Sequence, residues 1–236
     1  MTWLSRICFS CAAGAALHAA TVAGRVELAD SRENAVRKLR DYAGVVVSLW
    51  PAAGVPPGAP GRARMVQKNK AFTPHVLAVQ VGSAVEFPNY DPIFHNAFSN
   101  YDGQVFDVGL YPPGTTRTVV FRRAGVVRVF CNIHSAMSAV IVVLPTPYFA
   151  ATGSDGRFEI PGVPPGAYTL HVFHERATPA TLAALERRIE VAGGPVAVGR
   201  IAISETGYLP IPHRNKYGRD YPPEPGDGST YPTGRQ

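Results

Sequence analysis

The sequence predicts an all-β protein, and three observations carry that prediction. The chain holds 23 glycines and 22 prolines among 236 residues, and helix interiors tolerate neither. Apolar and polar residues alternate with a period of two, or form short β-branched runs, through most of its length. Turn signals such as Ser154-Asp155-Gly156, Val163-Pro164-Pro165-Gly166 and Gly193-Gly194-Pro195 separate those runs. Many short strands at this spacing form sandwiches or barrels. With 46% hydrophobic and only 17% charged residues, the chain can bury a core, which excludes wholesale disorder.

The elements follow in order. Met1 to Ala20 carries one charge, Arg6, then the apolar stretch from Ile7 to Leu17, then the small residues Ala19-Ala20. That order reads as a secretory signal peptide over residues 1–20. Strands are expected at Gly24–Leu28, Gly44–Trp50, Val76–Val81, Thr118–Phe121, Val126–Cys131, Ala139–Leu144, Arg157–Ile160, Tyr168–Phe173 and Val196–Ile203. Helical windows are short, at Ser31–Arg40 and Thr181–Arg188. Residues 55–61 read as a linker of proline, glycine and alanine. From residue 206 to 236 the chain is rich in Pro, Tyr, Gly and charge, and it is either disordered or an extended arm packed by its tyrosines.

Charge excludes more than it suggests. A formal net charge of +6, not clustered, is too weak to argue for nucleic acid. Outside the leader no run of 18 apolar residues occurs, so no membrane-spanning helix is expected in the mature chain. Export to the periplasm or beyond changes the cysteine arithmetic. Cys8 and Cys11 leave with the leader, and Cys131 is left alone in an oxidising compartment where thiols usually pair. Such a thiol is a buried hydrophobe, half of an intermolecular disulfide, a nucleophile or a metal ligand.

The surrounding residues favour the last. Cys131, His134 and Met137 follow one another at steps of three on a loop between two strands. A second imidazole, His95, follows a strand that ends in a Pro/Asn/Asp turn, Pro88-Asn89-Tyr90-Asp91-Pro92. Two imidazoles, a thiolate and a weak axial thioether suit copper in either oxidation state. Zinc accepts Cys and His but gains little from a thioether. A Cys131 nucleophile activated by His134 is the sharper rival, yet no substrate cleft or oxyanion donor is evident. His171 and His174 are expected on opposite faces of a strand, and His75 and His213 in solvent.

Residues 62–145 resemble a cupredoxin, the blue-copper domain of plastocyanin, azurin and amicyanin. The resemblance rests on Phe72-Thr73-Pro74, on Val79-x-Val81-Gly82-x-x-Val85-x-Phe87, on Asn89-x-Asp91 with His95-Asn96, and on Cys131-x-x-His134-x-x-Met137. The short spacing of the last is most similar to amicyanin. The resemblance implies one type 1 copper per chain, with His95, Cys131 and His134 as equatorial ligands and Met137 as the axial one. It implies further that Asn96 hydrogen-bonds across to the Cys131 loop, and that His134 is the ligand nearest the surface and the electron exit. The implied function is single-electron transfer between periplasmic redox proteins, a c-type cytochrome or an amine dehydrogenase among the candidates, with no enzymatic activity of its own. The other readings are a periplasmic copper carrier or sequestering protein and a non-redox binding or scaffold module. Multicopper oxidase or nitrite reductase activity would need further histidine clusters, which the chain does not have.

The flanking halves, residues 21–54 and 146–205, resemble a carboxypeptidase regulatory-like (transthyretin-like) β-sandwich. That similarity rests on Thr21–Val26, on Ala43–Leu49, and on the stretch from Thr152 to Leu170 with its Asp155-Gly156 hairpin turn and Pro164-Pro165-Gly166. The expected architecture is a Greek-key cupredoxin inserted in a surface loop of this second sandwich, or adjacent to it.

Overall fold

The computed structural model describes residues 19–56, 58–100, 103–210 and 212–221. The expected leader at 1–20 lies almost wholly outside the described residues, as do Cys8, Cys11 and residues 222–236. Among the described residues no helix is long and apolar enough to cross a membrane.

The strands in chain order are β1 (Ala20–Ala29), β2 (Val46–Pro51), β3 (Arg62–Arg64), β4 (Val66–Lys68), β5 (Ala71–Thr73), β6 (Val76–Gln80), β7 (Ala84–Pro88), β8 (Phe98–Ser99) and β9 (Phe106–Asp107). They continue with β10 (Thr116–Val120), β11 (Gly125–Phe130), β12 (Ser138–Leu144), β13 (Phe149–Ala151), β14 (Arg157–Val163), β15 (Gly166–Phe173), β16 (Arg187–Val191) and β17 (Val196–Ser204). Among the described residues two short helices, α1 (Asn34–Leu39) and α2 (Pro179–Ala184), complete the set. The chain is a β-sandwich protein, as its period-two patterning predicts.

Strands from the two ends of the chain share sheets. One sheet runs β14-β1-β17 and another β13-β2-β15-β16. Between them lies a core that includes Val22, Val26, Val47, Leu49, Phe158, Ile160, Leu170 and Ile203. In β15 every second residue is buried, Tyr168, Leu170 and Val172, and these are the residues its alternation marks as inward. The Asp155-Gly156 turn closes against β1: the Val26 N–H donates to the Gly156 carbonyl at 2.8 Å. Gly156 has φ +78°, and a Cβ there would meet the Val26 carbonyl oxygen, so only glycine fits.

The middle of the chain builds a second pair of sheets, β10-β7-β3 and β6-β12-β11-β8-β9, with the small hairpin β4-β5 beside them. Its own core contains Met65, Phe87, Tyr111, Phe121, Val129, Cys131, Met137 and Ile141. The two cores share no residue. A smaller cluster of Val46, Val76, Val140, Val142 and Leu144 joins them.

Two expectations about elements need correction. The window Thr181–Arg188 does not form one helix. Thr178 caps α2 by accepting the Thr181 N–H at 3.1 Å, but the helix ends at Ala184, and Arg187 and Arg188 enter β16. Pairing with β15 from Leu170 to Gly166 outweighs the helix propensity of Leu, Glu and Arg. His174 lies beyond the end of β15 and is buried against Glu205, its Nε2 2.8 Å from the carboxylate, so strand alternation does not apply to it.

Candidate metal centre

The hairpin β11–β12 pairs from Gly125↔Val143 to Phe130↔Ser138, which leaves Cys131 to Met137 as its closing loop. The Cys131 N–H donates to the Met137 carbonyl at 3.1 Å and the Met137 N–H to the His134 carbonyl at 3.1 Å. These bonds curl the loop so that residues three apart face inward. His95 comes from elsewhere in the fold. Its main chain bridges Tyr111 in both directions, at 3.2 and 2.9 Å, and so fixes the segment after β7 over the hairpin's end.

Three donor atoms converge. The Sγ of Cys131 lies 3.8 Å from His95 Nδ1 and 3.8 Å from His134 Nδ1. All three donors fall within 4.8 Å of one another and all three residues are buried. An ion bonded at ~2.0 Å to nitrogen and ~2.3 Å to sulfur, in trigonal or tetrahedral geometry, separates such atoms by roughly 3.5–3.8 Å. Both sulfur-to-nitrogen separations therefore match those around a soft, low-coordinate metal ion. Met137 is fully buried in the same core as Cys131 and is tied to the loop by its main chain.

Electrostatics prepare the thiol. Burial pushes the Cys131 thiol up, but hydrogen bonds from His134 and His95, joined by the N–H groups of Asn96 and Ile133, outweigh it and bring the thiol down to about 5. A thiolate is the form that binds metal. Burial works against a charged His95 too, yet Cys131 and Asp91 together hold it above its ordinary value.

Two side chains brace the donors. Asn96 accepts the Asn132 N–H on its Oδ1 and donates from Nδ2 to Asp107 at 3.3 Å, so it links the His95 segment to the Cys131 loop. Asp91, which carries no role in the sequence reading, sits behind His95. Its Oδ2 accepts His95 Nε2 at 2.8 Å, which leaves Nδ1 free to face the sulfur. The carboxylate is itself anchored by the Asn69 N–H at 2.6 Å and the Lys70 N–H at 2.8 Å. Both donors sit at the left-handed turn of the β4–β5 hairpin, with φ of 56° and 55°. Burial raises Asp91, but these three hydrogen bonds overcome it and hold the carboxyl below its ordinary value. The sequence signal was there: an acid four residues before a candidate ligand histidine.

His134 is the least buried of the four, 3% exposed against 0% for His95, Cys131 and Met137, yet its Nε2 is buried with no hydrogen-bond partner among the described residues. The chain's tail, residues 212–221, packs on the loop on either side of it. His213, expected in solvent, stacks on Phe130 with ring centroids 4.0 Å apart. Its Nε2 donates to the Ser135 carbonyl at 2.8 Å. Tyr221 donates its hydroxyl to the Cys131 carbonyl at 2.8 Å. The Lys216 N–H reaches Asn132 Oδ1 at 3.0 Å, and its ammonium pairs with Asp107 at 2.7 Å. Among the described residues, then, the tail is an arm packed by His213 and Tyr221.

No protein-family model matches the chain. A stretch of 59 residues is 46% identical to the methylamine utilization protein MauL of Methylorubrum extorquens, 25% of this chain and 52% of that protein. The chain thus spans about half the length of the curated relative it matches. Solved structures similar to it include a purple cupredoxin from Nitrosopumilus maritimus, 23% identical over 35% of this chain and 99% of that one, with a TM-score of 0.32. Amicyanin, as a Cu(I) variant, is 20% identical over 43% and 99%, with a TM-score of 0.33. A copper-containing nitrite reductase from Thermus scotoductus is 20% identical over 50% and 28%, with a TM-score of 0.34. Likeness at this level does not bear on the chemistry, which rests on the donor geometry.

Proposed function

We propose that this chain is an exported type 1 copper protein that carries single electrons. The observation that carries the reading is the meeting of His95 Nδ1, Cys131 Sγ and His134 Nδ1, all buried, at 3.8 Å from sulfur to each nitrogen. His95, Cys131 and His134 would hold the ion, and the buried Met137 would add a weak thioether donor. Copper bound there supplies a one-electron Cu(II)/Cu(I) couple. The protein's part is to keep the donors in place. Asp91 fixes the ring of His95, Asn96 ties the two ligand segments together, and the burial of all three donors keeps water out. Ligands that barely move between oxidation states leave little reorganisation to slow transfer. A carrier that hands its ion on needs donors within reach of a recipient, and enclosed donors favour electron transfer over that alternative.

The organisation we propose is a cupredoxin at residues 62–145 set into a carboxypeptidase regulatory-like sandwich formed by residues 21–54 and 146–205. The support is that β1 pairs with β14 and β17, and β2 with β13 and β15, rather than with the middle strands. The name of the similar protein MauL supports a role in amine oxidation, with an amine dehydrogenase or a c-type cytochrome as the redox partner. A periplasmic location fits that role and the leader-like sequence.

Titration of the purified full chain with Cu(II) tests the reading. The expected result is an intense visible charge-transfer band at one copper per chain, bleached by ascorbate and restored by oxidant. Cys131→Ser should abolish it. A stable Cu(II) complex without that band, or a band that survives Cys131→Ser, refutes it.

A further inference from the structure

The packed tail changes where electrons can enter and leave. This inference rests on the copper reading above and adds the route and the docking face. In that reading His134 was the expected exit, yet it is 3% exposed and its outer nitrogen is buried. What lies over the loop is the strap from Pro212 to Tyr221. It grips the loop on both sides of His134: at Phe130, Cys131 and Asn132 before it, and at Ser135 after it.

One of these contacts is of a different kind from the rest. Tyr221 donates its hydroxyl to the carbonyl of Cys131 itself, at 2.8 Å. That carbonyl belongs to the residue whose sulfur would bind the ion. The same hydroxyl lies 3.3 Å from His213 Nδ1, and the His213 and Tyr221 rings meet edge to face at 5.2 Å between centroids. A continuous path of bonds and one short hydrogen bond therefore leads from the sulfur to the strap's rings. The strap's outer side is basic and aromatic. Tyr217 is 69% exposed, and residues 212–221 carry Arg214, Lys216 and Arg219 against the single carboxylate of Asp220. Lys216 is committed to Asp107 and Arg214 lies 3.5 Å from Asp220 in an exposed pair, while Arg219 also lies at the exposed surface.

We propose that the strap is the electron-exchange face of the centre. A one-electron redox protein with an acidic docking surface binds over Arg214, Tyr217 and Arg219, and the electron crosses through the Cys131 carbonyl and Tyr221. In each transfer one electron leaves Cu(I), giving Cu(II), and the partner is reduced by one electron. No bond forms or breaks and no proton moves.

The test uses the full-length, copper-loaded, reduced protein and two small outer-sphere oxidants: hexacyanoferrate(III), an anion, and tris(phenanthroline)cobalt(III), a cation. Stopped-flow rates are measured at low ionic strength. Arg214→Glu with Arg219→Glu should slow the anion by about tenfold and speed the cation, because steering by local charge acts on encounter. High salt should erase both effects. Tyr221→Phe keeps the ring but removes the hydrogen bond, and it should slow both oxidants severalfold with the reduction potential and the visible band unchanged. A readout without copper accompanies these. In the metal-free protein, Tyr221→Phe and His213→Ala should speed modification of the Cys131 thiol by an aromatic disulfide reagent, because the strap covers that loop.

Unchanged rates in both charge and tyrosine variants, with a normal copper band, overturn this proposal and leave the copper reading standing. Faster transfer to both oxidants in Tyr221→Phe or His213→Ala also overturns it, because the strap is then only a cover. Failure of the wild-type chain to form the band removes the copper reading and this proposal with it.

Discussion

Asp91→Ala is the substitution that best separates a positioned site from a coincidental cluster. The carboxylate is buried and accepts three hydrogen bonds, from Asn69 N–H, Lys70 N–H and His95 Nε2. Hydrogen bonds to a charged group contribute roughly 1.5–3 kcal/mol each. They do not simply add, because the two main-chain donors sit on an accessible hairpin turn and water can replace the lost acceptor. His95 is fully buried, so water cannot readily replace the carboxylate behind its ring. Removing one partner of such a buried pair costs about 3–5 kcal/mol. The isosteric Asp91→Asn should cost less, about 1–3 kcal/mol, because its NH2 group must face at least one of the three donors. Both variants should also weaken metal binding by roughly 10–100-fold, since the ring of a ligand histidine loses its orienting partner. Urea denaturation of the metal-free protein followed by circular dichroism measures the first effect. Competition with a copper chelator measures the second. A loss of stability below about 1 kcal/mol in Asp91→Ala, together with wild-type copper affinity, would show that Asp91 neither supports the fold nor positions His95.

Two further outcomes are expected. Leu170→Ala empties part of the core between the first two sheets, where Leu170 is fully buried, and should cost about 2–5 kcal/mol. The copper band should not change, because that core shares no residue with the one around Cys131, and a shifted band would show that the two cores are not separable. The ion pair of His75 and Glu175, 2.9 Å apart, bridges the two halves of the molecule and should make their attachment pH-dependent. Its hydrogen bond to Glu175 keeps His75 above its ordinary 6.5, so the stabilisation is complete below 6.5 and fades as pH rises through the raised folded value. Burial opposes the charged form of Glu175, but His75 holds it below its ordinary 4.5, so its share is complete above 4.5 and fades as pH falls through the lowered folded value. The pair is therefore strongest between those two values. His174, kept below 6.5 by burial, works in the opposite sense, since acid must charge it. The measurement is accordingly the difference in stability between wild type and His75→Ala across pH. Because His75 is half exposed, that difference should peak at only about 0.5–1 kcal/mol, and a difference that grows above pH 7 would contradict the assignment.

What the sequence shows of this fold follows from how local each feature is. Val45 to Leu49 and Tyr168 to Phe173 declare themselves because alternation is written in consecutive residues. The Cys131, His134 and Met137 triplet is legible because a single hairpin loop presents it. The strands β3, β4, β5, β8 and β9 span two or three residues each, too short for any periodicity to register. The burial of His134 was not legible at all. Nor was the packing of the tail beside it, ten residues that have no repeating pattern and are joined to the loop by hydrogen bonds spanning 78 and 90 positions. Asp91 lies between these cases. Its spacing from His95 is local, but the two N–H groups that anchor it come from a hairpin more than twenty residues away.

The strand that leaves the ligand loop shows why two sandwiches in one chain suit a rigid metal centre. Ala139 to Leu144 reads as an unbroken apolar run, with none of the alternation of a half-exposed strand. Ala139, Ile141 and Val143 pack into the core that holds Cys131 and Met137. Val140, Val142 and Leu144 face the other way, into the junction with Val46 of β2. The strand β12 is thus clamped on both faces, between the parallel β6 and the antiparallel β11, and it begins at Ser138, directly after Met137. A close-packed interior on both sides transmits strain and resists displacement, so the C-terminal anchor of the loop cannot drift when the charge at its tip changes. On this view the outer sandwich is a wall behind the ligand strand. Polar substitutions at Val140 or Val142 should therefore loosen the metal centre although neither side chain points toward it.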